Sequence, residues 1–354
     1  MKPLKYLFIS SMLFAATSCG NSWLDLEPST SVDTETSIKI LSDVEFTLNG
    51  IYSTMQSSDA YSGRLVYYGD VTGDDMQAVS STKRVANYYR FNFTKDDNPS
   101  SHWSYLYSII QNCNLILMNI DKLVIDEDDK AYRDDLKGEA LAIRGLALFD
   151  LTRIFGYPYL KDDGASLGVP IIEGLSTIDS KPTRNTVAQC YTKIIDDLTQ
   201  SLSLLGEKFN KGKINKWGAM VLLSRVYLYK GENANALKMA SDAIIGAEKN
   251  KYALWTNEDY PTAWGEDASA SKPGEVLFEI VNLTTDSPGK ESMGYLNSYD
   301  GYDDMCITCS FYQFLKEDPK DIRLKLLSFD KKYYAYVNNC LLYTSDAADD
   351  LIGV

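Results

Sequence analysis

Apolar residues recur three or four positions apart along most of this chain, which is the spacing that lines one face of an α-helix. The first such stretch carries Ile38, Leu41, Val44, Leu48, Ile51 and Met55. A second begins at His102, and the longest covers residues 132–155 before Gly156 and Pro158, which stop helices. The spacing therefore predicts an all-α fold.

Later periodic stretches predict paired helices. Thr186 is a capping residue before one helix, and Asn215 precedes another that ends at Gly231 and is followed by a partner over residues 233–248. The spacing of a tetratricopeptide repeat is present at Tyr227, Gly231, Ala236 and Ala243. Its strict period of about 34 residues is absent, so we expect degenerate repeats, with generic helical packing as the alternative.

Beyond Ala247 the helical spacing stops and aromatic residues accumulate in irregular sequence. Two runs, residues 275–281 and 331–337, are typical of short strands. We therefore expect a tetratricopeptide-like helical scaffold with aromatic-rich loops and a few short strands. Long loops on such a scaffold are where recognition usually takes place.

The N-terminus has the composition of an export signal. Lys2 and Lys5 precede an apolar run that ends in small residues before Cys19. We interpret residues 1–18 as a lipoprotein signal peptide, Cys19 as the lipidated residue and residues 19–36 as a polar tether. An ordinary signal peptide that leaves Cys19 free is the alternative. No later stretch is long and apolar enough to span a bilayer, so we expect membrane attachment through the lipid anchor only.

Composition excludes several functional classes. The formal charge of −14 becomes −16 once the two signal lysines are removed, which argues against nucleic acid as a partner. His102 is the only histidine, and Cys306 and Cys309 form a single C-x-x-C pair that cannot complete a zinc site. We therefore expect no enzyme activity, no metal site and no cofactor.

Structural calcium is left open by three acidic pairs. None of them follows the alternating oxygen pattern of a calcium loop with its central glycine. Exposed surface loops are the preferred interpretation for all three. The pairs are Asp74 with Asp75, Asp96 with Asp97, and Asp303 with Asp304.

Several segments resemble one known family. The segment GEALAIRGLALFDLTRIFGYPYL, residues 138–160 with Arg144 at its centre, resembles the signature helix of SusD/RagB outer-membrane nutrient-uptake lipoproteins. Similar segments follow in the family's order. They are CGNSWLDLEP at Cys19, WSYLYSIIQNCNLIL at Trp103, CYTKIIDDLTQSLSLL at Cys190, KWGAMVLLSRVYLYKGENANALKMASDAI at Lys216 and KDIRLKL at Lys320. The resemblance extends over residues 19–339.

The resemblance implies a lipoprotein on the extracellular face of the outer membrane. Such a protein binds oligosaccharide and delivers it to a SusC-like TonB-dependent transporter. Two alternatives stay open: RagB-like capture of peptides, and a repeat scaffold of the transporter complex that binds no ligand.

Sugar binding needs a flat apolar ring for the pyranose face and planar polar groups for its hydroxyls. Aromatic and arginine residues in the loops supply both, and each of them has loop packing as its alternative role. The glycan-binding candidates are Tyr88, Tyr89, Arg90, Trp255, Trp264, Tyr299 and Tyr302.

The last residues depart from the family. The sequence CLLYTSDAADDLIGV, residues 340–354, resembles one reading frame of a transposon-end sequencing adapter. We interpret it as an artefactual tail, with a natural divergent tail as the alternative. We expect the helical domain, residues 37–339, to be incomplete at its C-terminus and to expose apolar surface, because stacked repeat units need caps.

Overall fold

The computed structural model describes residues 37–94, 100–177, 179–207, 210, 212–263, 274–283, 285–298, 300–329 and 342–344. The long helices are α1 (Leu41–Met55), α4 (Ser100–Asn119), α5 (Lys130–Phe155), α6 (Val187–Leu204), α7 (Lys216–Lys230) and α8 (Asn233–Lys249). The shorter ones are α2 (Arg64–Val71), α3 (Ala86–Tyr89), α9 (Tyr260–Ala263), α10 (Met293–Asn297) and α11 (Cys309–Lys316). The predicted helical character is confirmed.

Side-chain caps set the helix ends that the sequence predicted. Thr186 Oγ1 accepts the Gln189 backbone N–H at 3.2 Å, and Gln189 Oε1 accepts the Thr186 N–H at 2.9 Å. Asn215 Oδ1 accepts the N–H groups of Trp217 and Gly218 at the start of α7. Gly231 ends α7 in the left-handed conformation, with φ of 83°, which glycine adopts without steric cost.

Helix α5 is the centre of the core. It packs between α4 and α6, and α1 lies across α4 and α5. Leu136, Ile143 and Leu151 are fully buried, and each contributes about 1.5–3 kcal/mol of apolar burial. Because α5 has neighbours on several sides, almost every residue from Leu136 to Thr152 is buried.

A buried polar network joins the three central helices. Arg144 on α5 donates from Nε and Nη2 to the two carboxylate oxygens of Asp197 on α6, at 2.8 and 2.6 Å. Its Nη1 donates to Asn114 Oδ1 on α4 at 2.8 Å. Asn114 Nδ2 in turn donates to the carbonyls of Ile172 and Gly174. The network therefore ties the extended segment after α5 to the same three helices.

Helices α7 and α8 form the tetratricopeptide-like pair. A Cβ at Gly246 would lie 2.0 Å from the Trp217 ring, so only glycine permits this close approach. Ser224 Oγ donates to the Ala236 carbonyl across the pair. The outer face of α8 exposes Leu237, Ile244 and Ile245, unlike the polar outer face of a capping repeat.

A second, smaller core lies beside the helical stack. Its buried residues come from α2, the segment before and within α3, α10 and β2; they are Tyr67, Val71, Val85, Tyr88, Leu296 and Met305. An antiparallel sheet borders this core in the order β1 (Met76–Ala78), β2 (Met305–Ile307), β4 (Leu342–Thr344) and β3 (Leu327–Phe329). Met76 pairs with Ile307, and Ile307 with Leu342. Strand β4 belongs to the segment interpreted as a tail, and the origin of that segment stays a prediction.

The predicted strand over residues 275–281 is wrong. The segment forms no continuous strand, although Glu279 takes part in a single bridge, and two of its carbonyls accept hydrogen bonds from side chains of the helical stack. Gln56 Nε2 donates to the Val281 carbonyl, and Asn215 Nδ2 donates to the Leu277 carbonyl at 2.8 Å. The predicted strand over residues 331–337 lies outside the described residues, as does the tether of residues 19–36.

Glu139 on α5 is a buried carboxyl that faces α1. Tyr52 Oη donates to Glu139 Oε2 at 2.7 Å, and the Ile214 N–H donates to Tyr52 Oη at 3.0 Å. Burial raises the pKa of Glu139 to about 7, against the smaller lowering effects of the Tyr52 hydrogen bond and of Lys213.

Among the helices described, none is long and apolar enough to cross a membrane.

Asp197→Asn should lower the free energy of unfolding by about 3–5 kcal/mol, because it leaves the buried Arg144 guanidinium without its counter-charge. Urea unfolding followed by circular dichroism measures the change. The control is Asp196→Asn, which removes a carboxylate from an exposed neighbouring position. Equal effects of the two substitutions would contradict a central role for the Arg144 pair.

Glu139→Gln should change the pH dependence of stability. The carboxyl titrates near 4.5 in the unfolded chain and near 7 in the folded protein, so the folded form binds more protons between these pH values. Its contribution to stability therefore falls as pH rises through that window. The variant should gain roughly 3 kcal/mol relative to the unsubstituted protein between pH 5 and pH 8. Urea titrations across this range test the prediction; parallel curves would contradict it.

Candidate functional site

A tight turn after α3 carries an exposed phenylalanine. Phe91 has φ of 53°, a left-handed backbone conformation that costs a residue with a side chain roughly 1–2 kcal/mol. The Phe91 and Asn92 N–H groups donate to the carbonyls of Tyr88 and Asn87 and close the turn. The Phe91 side chain is 65% exposed. Backbone strain combined with an exposed apolar ring is typical of a binding position.

Three exposed rings form what we name the aromatic ridge, consisting of Tyr89, Phe91 and Phe93. Tyr89 is 38% and Phe93 39% exposed. The Phe91 and Phe93 rings meet edge to face at 6.3 Å between centroids. Phe91 and Phe93 therefore form one apolar surface, and the exposed Tyr89 and Arg90 adjoin it in sequence.

The aromatic ridge stands on buried rings. Phe93 packs 5.9 Å from Tyr88 and 6.3 Å from Tyr68, whose rings lie 5.4 Å apart edge to face. Tyr88, one of the predicted glycan contacts, is thus buried in the smaller core, where it supports Phe93. Tyr88 is 9% exposed and so offers a ligand little surface.

His102 lies below these rings and is fully buried. Its Nδ1 is 3.1 Å from the Asp59 carbonyl, and its ring meets Tyr68 at 5.7 Å. Burial lowers the pKa of His102, which keeps the imidazole neutral at physiological pH. His102 therefore packs as a neutral ring inside the protein.

A second aromatic element contacts the segment that leads into α3. The Arg84 guanidinium lies 3.9 Å from the centroid of the Tyr302 ring, and Tyr295 meets that ring edge to face at 5.2 Å. Tyr302 is 37% exposed. Val85 and Tyr88 share the smaller core with Leu296 and Met305. Consequently, residues 83–93, 292–298 and 300–305 belong to one structural unit that carries both aromatic elements.

Trp255 lies elsewhere, beside α7. It borders a cavity of about 280 Å³ whose wall includes Arg225, Glu275 and Phe278. Its backbone N–H donates to Glu275 Oε2 at 3.0 Å. A Cβ at Gly274 would lie 2.4 Å from Trp255 Nε1, so the indole packs directly against glycine. Those predicted candidates that the structure describes therefore fall in two separate places.

Nearby carboxylates are engaged by cations of the chain itself. Asp304 Oδ2 lies 3.2 Å from Arg84 Nε, and Asp303 Oδ2 lies 3.8 Å from Lys83 Nζ. Burial raises the pKa of Asp304. Within the part of the chain that the structure describes, no three acidic, histidine or cysteine side chains are grouped as metal ligands.

The structure thus brings Tyr89, Arg90 and Tyr302 onto one unit, while Trp255 is separate. Cys19, Trp264 and Tyr299 lie outside the described residues, as do Asp96 and Asp97. Sequence reasoning did not select Phe91 and Phe93, although both lie in the aromatic run NYYRFNF of residues 87–93. The alternation of polar and aromatic residues over residues 90–93 is the sequence pattern that could have indicated these two rings.

Comparison with known proteins assigns the chain to a family. The SusD-like model described as starch-binding and associating with the outer membrane matches residues 22–228. SusD-like protein P2 of Formosa agariphila is 28% identical over 311 residues, which cover 85% of this chain and 57% of that protein. The chain therefore spans little more than half the length of this curated relative.

Two solved structures extend the likeness. A protein from Bacteroides vulgatus ATCC 8482, described as a candidate sugar-binding protein, is 77% identical with a TM-score of 0.85, covering 90% of this chain and 70% of that one. A SusD superfamily protein from Bacteroides thetaiotaomicron VPI-5482 is 36% identical with a TM-score of 0.79, covering 88% of this chain and 71% of that one. These likenesses confirm the predicted family and its helical fold.

Phe91→Gly should leave stability unchanged or raise it by up to about 1 kcal/mol, because glycine adopts the left-handed turn without strain. The variant also loses the edge-to-face contact with Phe93, which offsets part of this gain in stability. Thermal unfolding measures the difference. A loss of more than about 2 kcal/mol would mean that the Phe91 ring serves the fold, as expected of a core residue.

Proposed function

Because the chain belongs to the SusD-like family of proteins associated with the outer membrane, we propose that it captures oligosaccharide for uptake. It acts as a lipoprotein held by acylated Cys19 on the extracellular face, and it passes its ligand to a SusC-like TonB-dependent transporter. It binds the glycan without cleaving it.

The aromatic ridge is the observation that carries this proposal. A pyranose ring has an apolar face of C–H groups, which a flat aromatic surface removes from water. Phe91 and Phe93 provide that surface, and Tyr89 adds a hydroxyl beside it. Arg90 supplies planar N–H donors for sugar hydroxyls. The strained turn at Phe91 holds its ring outward, although burial would favour the opposite orientation.

Tyr302 extends the proposed surface on the same structural unit. Its exposed ring can stack on a second sugar, as expected for a ligand longer than one residue. Trp255 forms a separate candidate contact beside α7. The family description and the candidate sugar-binding relative from Bacteroides vulgatus support a carbohydrate ligand over other classes.

Peptide capture is the second candidate function. The specific observation in its favour is that two of the three ridge rings are phenylalanines, which cannot hydrogen-bond to sugar hydroxyls. Phenyl rings suit apolar side chains of a peptide equally well. A peptide mixture that raises the melting temperature, with no effect of any glycan, would favour this function.

Phe91→Ala should weaken glycan binding at least tenfold, about 1.4 kcal/mol, because exposed aromatic anchors carry much of the affinity at recognition surfaces. The measurement is retardation of a soluble form beginning after Cys19 in native gels that contain immobilised polysaccharides. Released reducing sugar is assayed in parallel and should be absent.

Phe46→Ala is the matched control, since Phe46 is a phenyl ring on α1 that is 72% exposed and outside the ridge. It should leave retardation unchanged. Retardation that survives Phe91→Ala but is lost with Trp255→Ala would move the site to the cavity beside α7. No retardation by any glycan or peptide would favour a scaffold that binds no ligand.

A further inference from the structure

Arg84 is held on several sides by partners that are distant in sequence. Its Nη1 donates to both carboxylate oxygens of Glu291, at 3.1 and 2.9 Å. Its Nε lies 3.2 Å from Asp304 Oδ2, and its guanidinium plane covers the Tyr302 ring at 3.9 Å. Two carboxylates and one ring therefore determine the orientation of this guanidinium.

The same contacts restrict the Tyr302 ring. Arg84 covers one face, and Tyr295 packs against it at an interplanar angle of 83°. Lys83 Nζ donates to the Tyr302 carbonyl, which fixes the backbone as well. Tyr302 is still 37% exposed, so these contacts do not bury it.

Arg84 also connects this ring to the aromatic ridge. It lies two residues before α3, and Tyr89 is the last residue of that helix. Arg84 and Tyr89 are therefore five positions apart on one short segment of chain. The Arg84 contacts with Tyr302, Glu291 and Asp304 thus set where the second ring stands relative to the first.

We propose that Arg84 is a positioning residue for ligand binding: it holds the Tyr302 ring so that the exposed part of Tyr302 continues the surface begun by the aromatic ridge. This inference rests on the proposed function. A planar guanidinium suits the role because it stacks on the ring while hydrogen-bonding to Glu291 and pairing electrostatically with Asp304. A lysine would keep the positive charge, but its ammonium group could not stack flat on the ring and contact both carboxylates at once.

Arg64 offers a matched control. It pairs with the same Glu291 carboxylate, with Nη2 at 3.5 Å from Oε2, and also with Asp59. In the described structure its guanidinium is not stacked on Tyr302, whereas that of Arg84 is. Arg64→Lys therefore perturbs the shared ion pair and leaves the ring contact in place.

The first test needs no ligand. With 3-fluorotyrosine at position 302, Arg84→Lys should shift and broaden the fluorine resonance, because the ring loses the guanidinium over its face. Arg64→Lys should leave the resonance in place. Melting temperatures are measured for both variants to exclude unfolding. An unchanged spectrum in Arg84→Lys overturns the proposal.

The second test is a double-substitution cycle that uses whichever polysaccharide retards the unsubstituted chain. Arg84→Lys and Tyr302→Ala should each weaken binding about tenfold, and combining them should weaken it less than twofold further. A further tenfold loss in the Tyr302→Ala background would show that Arg84 contacts the ligand directly, which overturns the positioning role. If the unsubstituted chain binds no glycan, the proposed function fails, and the fluorine spectrum still decides whether Arg84 holds the ring.

Discussion

The buried pair between Arg144 and Asp197 is the constraint on which the helical scaffold depends. Removing two charges from water costs several kcal/mol each, and only a bidentate geometry with further hydrogen bonds offsets that cost. Arg144 has both, since Asn114 accepts its remaining donor. These hydrogen bonds of Arg144 hold α4, α5 and α6 in one arrangement. The helices that pack on these three are thereby positioned as well.

The candidate binding surface depends on different forces. It stands on the smaller core and is joined across long sequence separations by Arg84, Glu291 and Asp304. Arg84 and Glu291 are about one-third exposed, and ion pairs at such positions contribute little stability individually but orient the groups that they join. A rigid helical stack thus supports loops whose side chains are free to serve recognition, while their own network keeps the rings in place.

Local signals made the helices predictable. Thr186, Asn215 and Gly231 mark helix ends because their capping chemistry acts within a few residues. Site geometry was less accessible. Burial of Tyr88 and exposure of Phe91 follow from a left-handed turn, and the contact of Arg84 with Tyr302 joins positions that no periodicity relates. The strand expected over residues 275–281 does not form as a continuous strand. Side chains hydrogen-bond to two of its carbonyls, and an apolar run in the sequence does not indicate such contacts.

The central claim is that glycan binds on the aromatic ridge and continues over Tyr302. Titrating an oligosaccharide into protein with labelled phenylalanine and tyrosine rings, and following their resonances by two-dimensional NMR, tests it most directly. We predict shifts confined to Phe91, Phe93, Tyr89 and Tyr302, with Phe46 unchanged. Shifts elsewhere, with those four resonances unaffected at saturation, would contradict it.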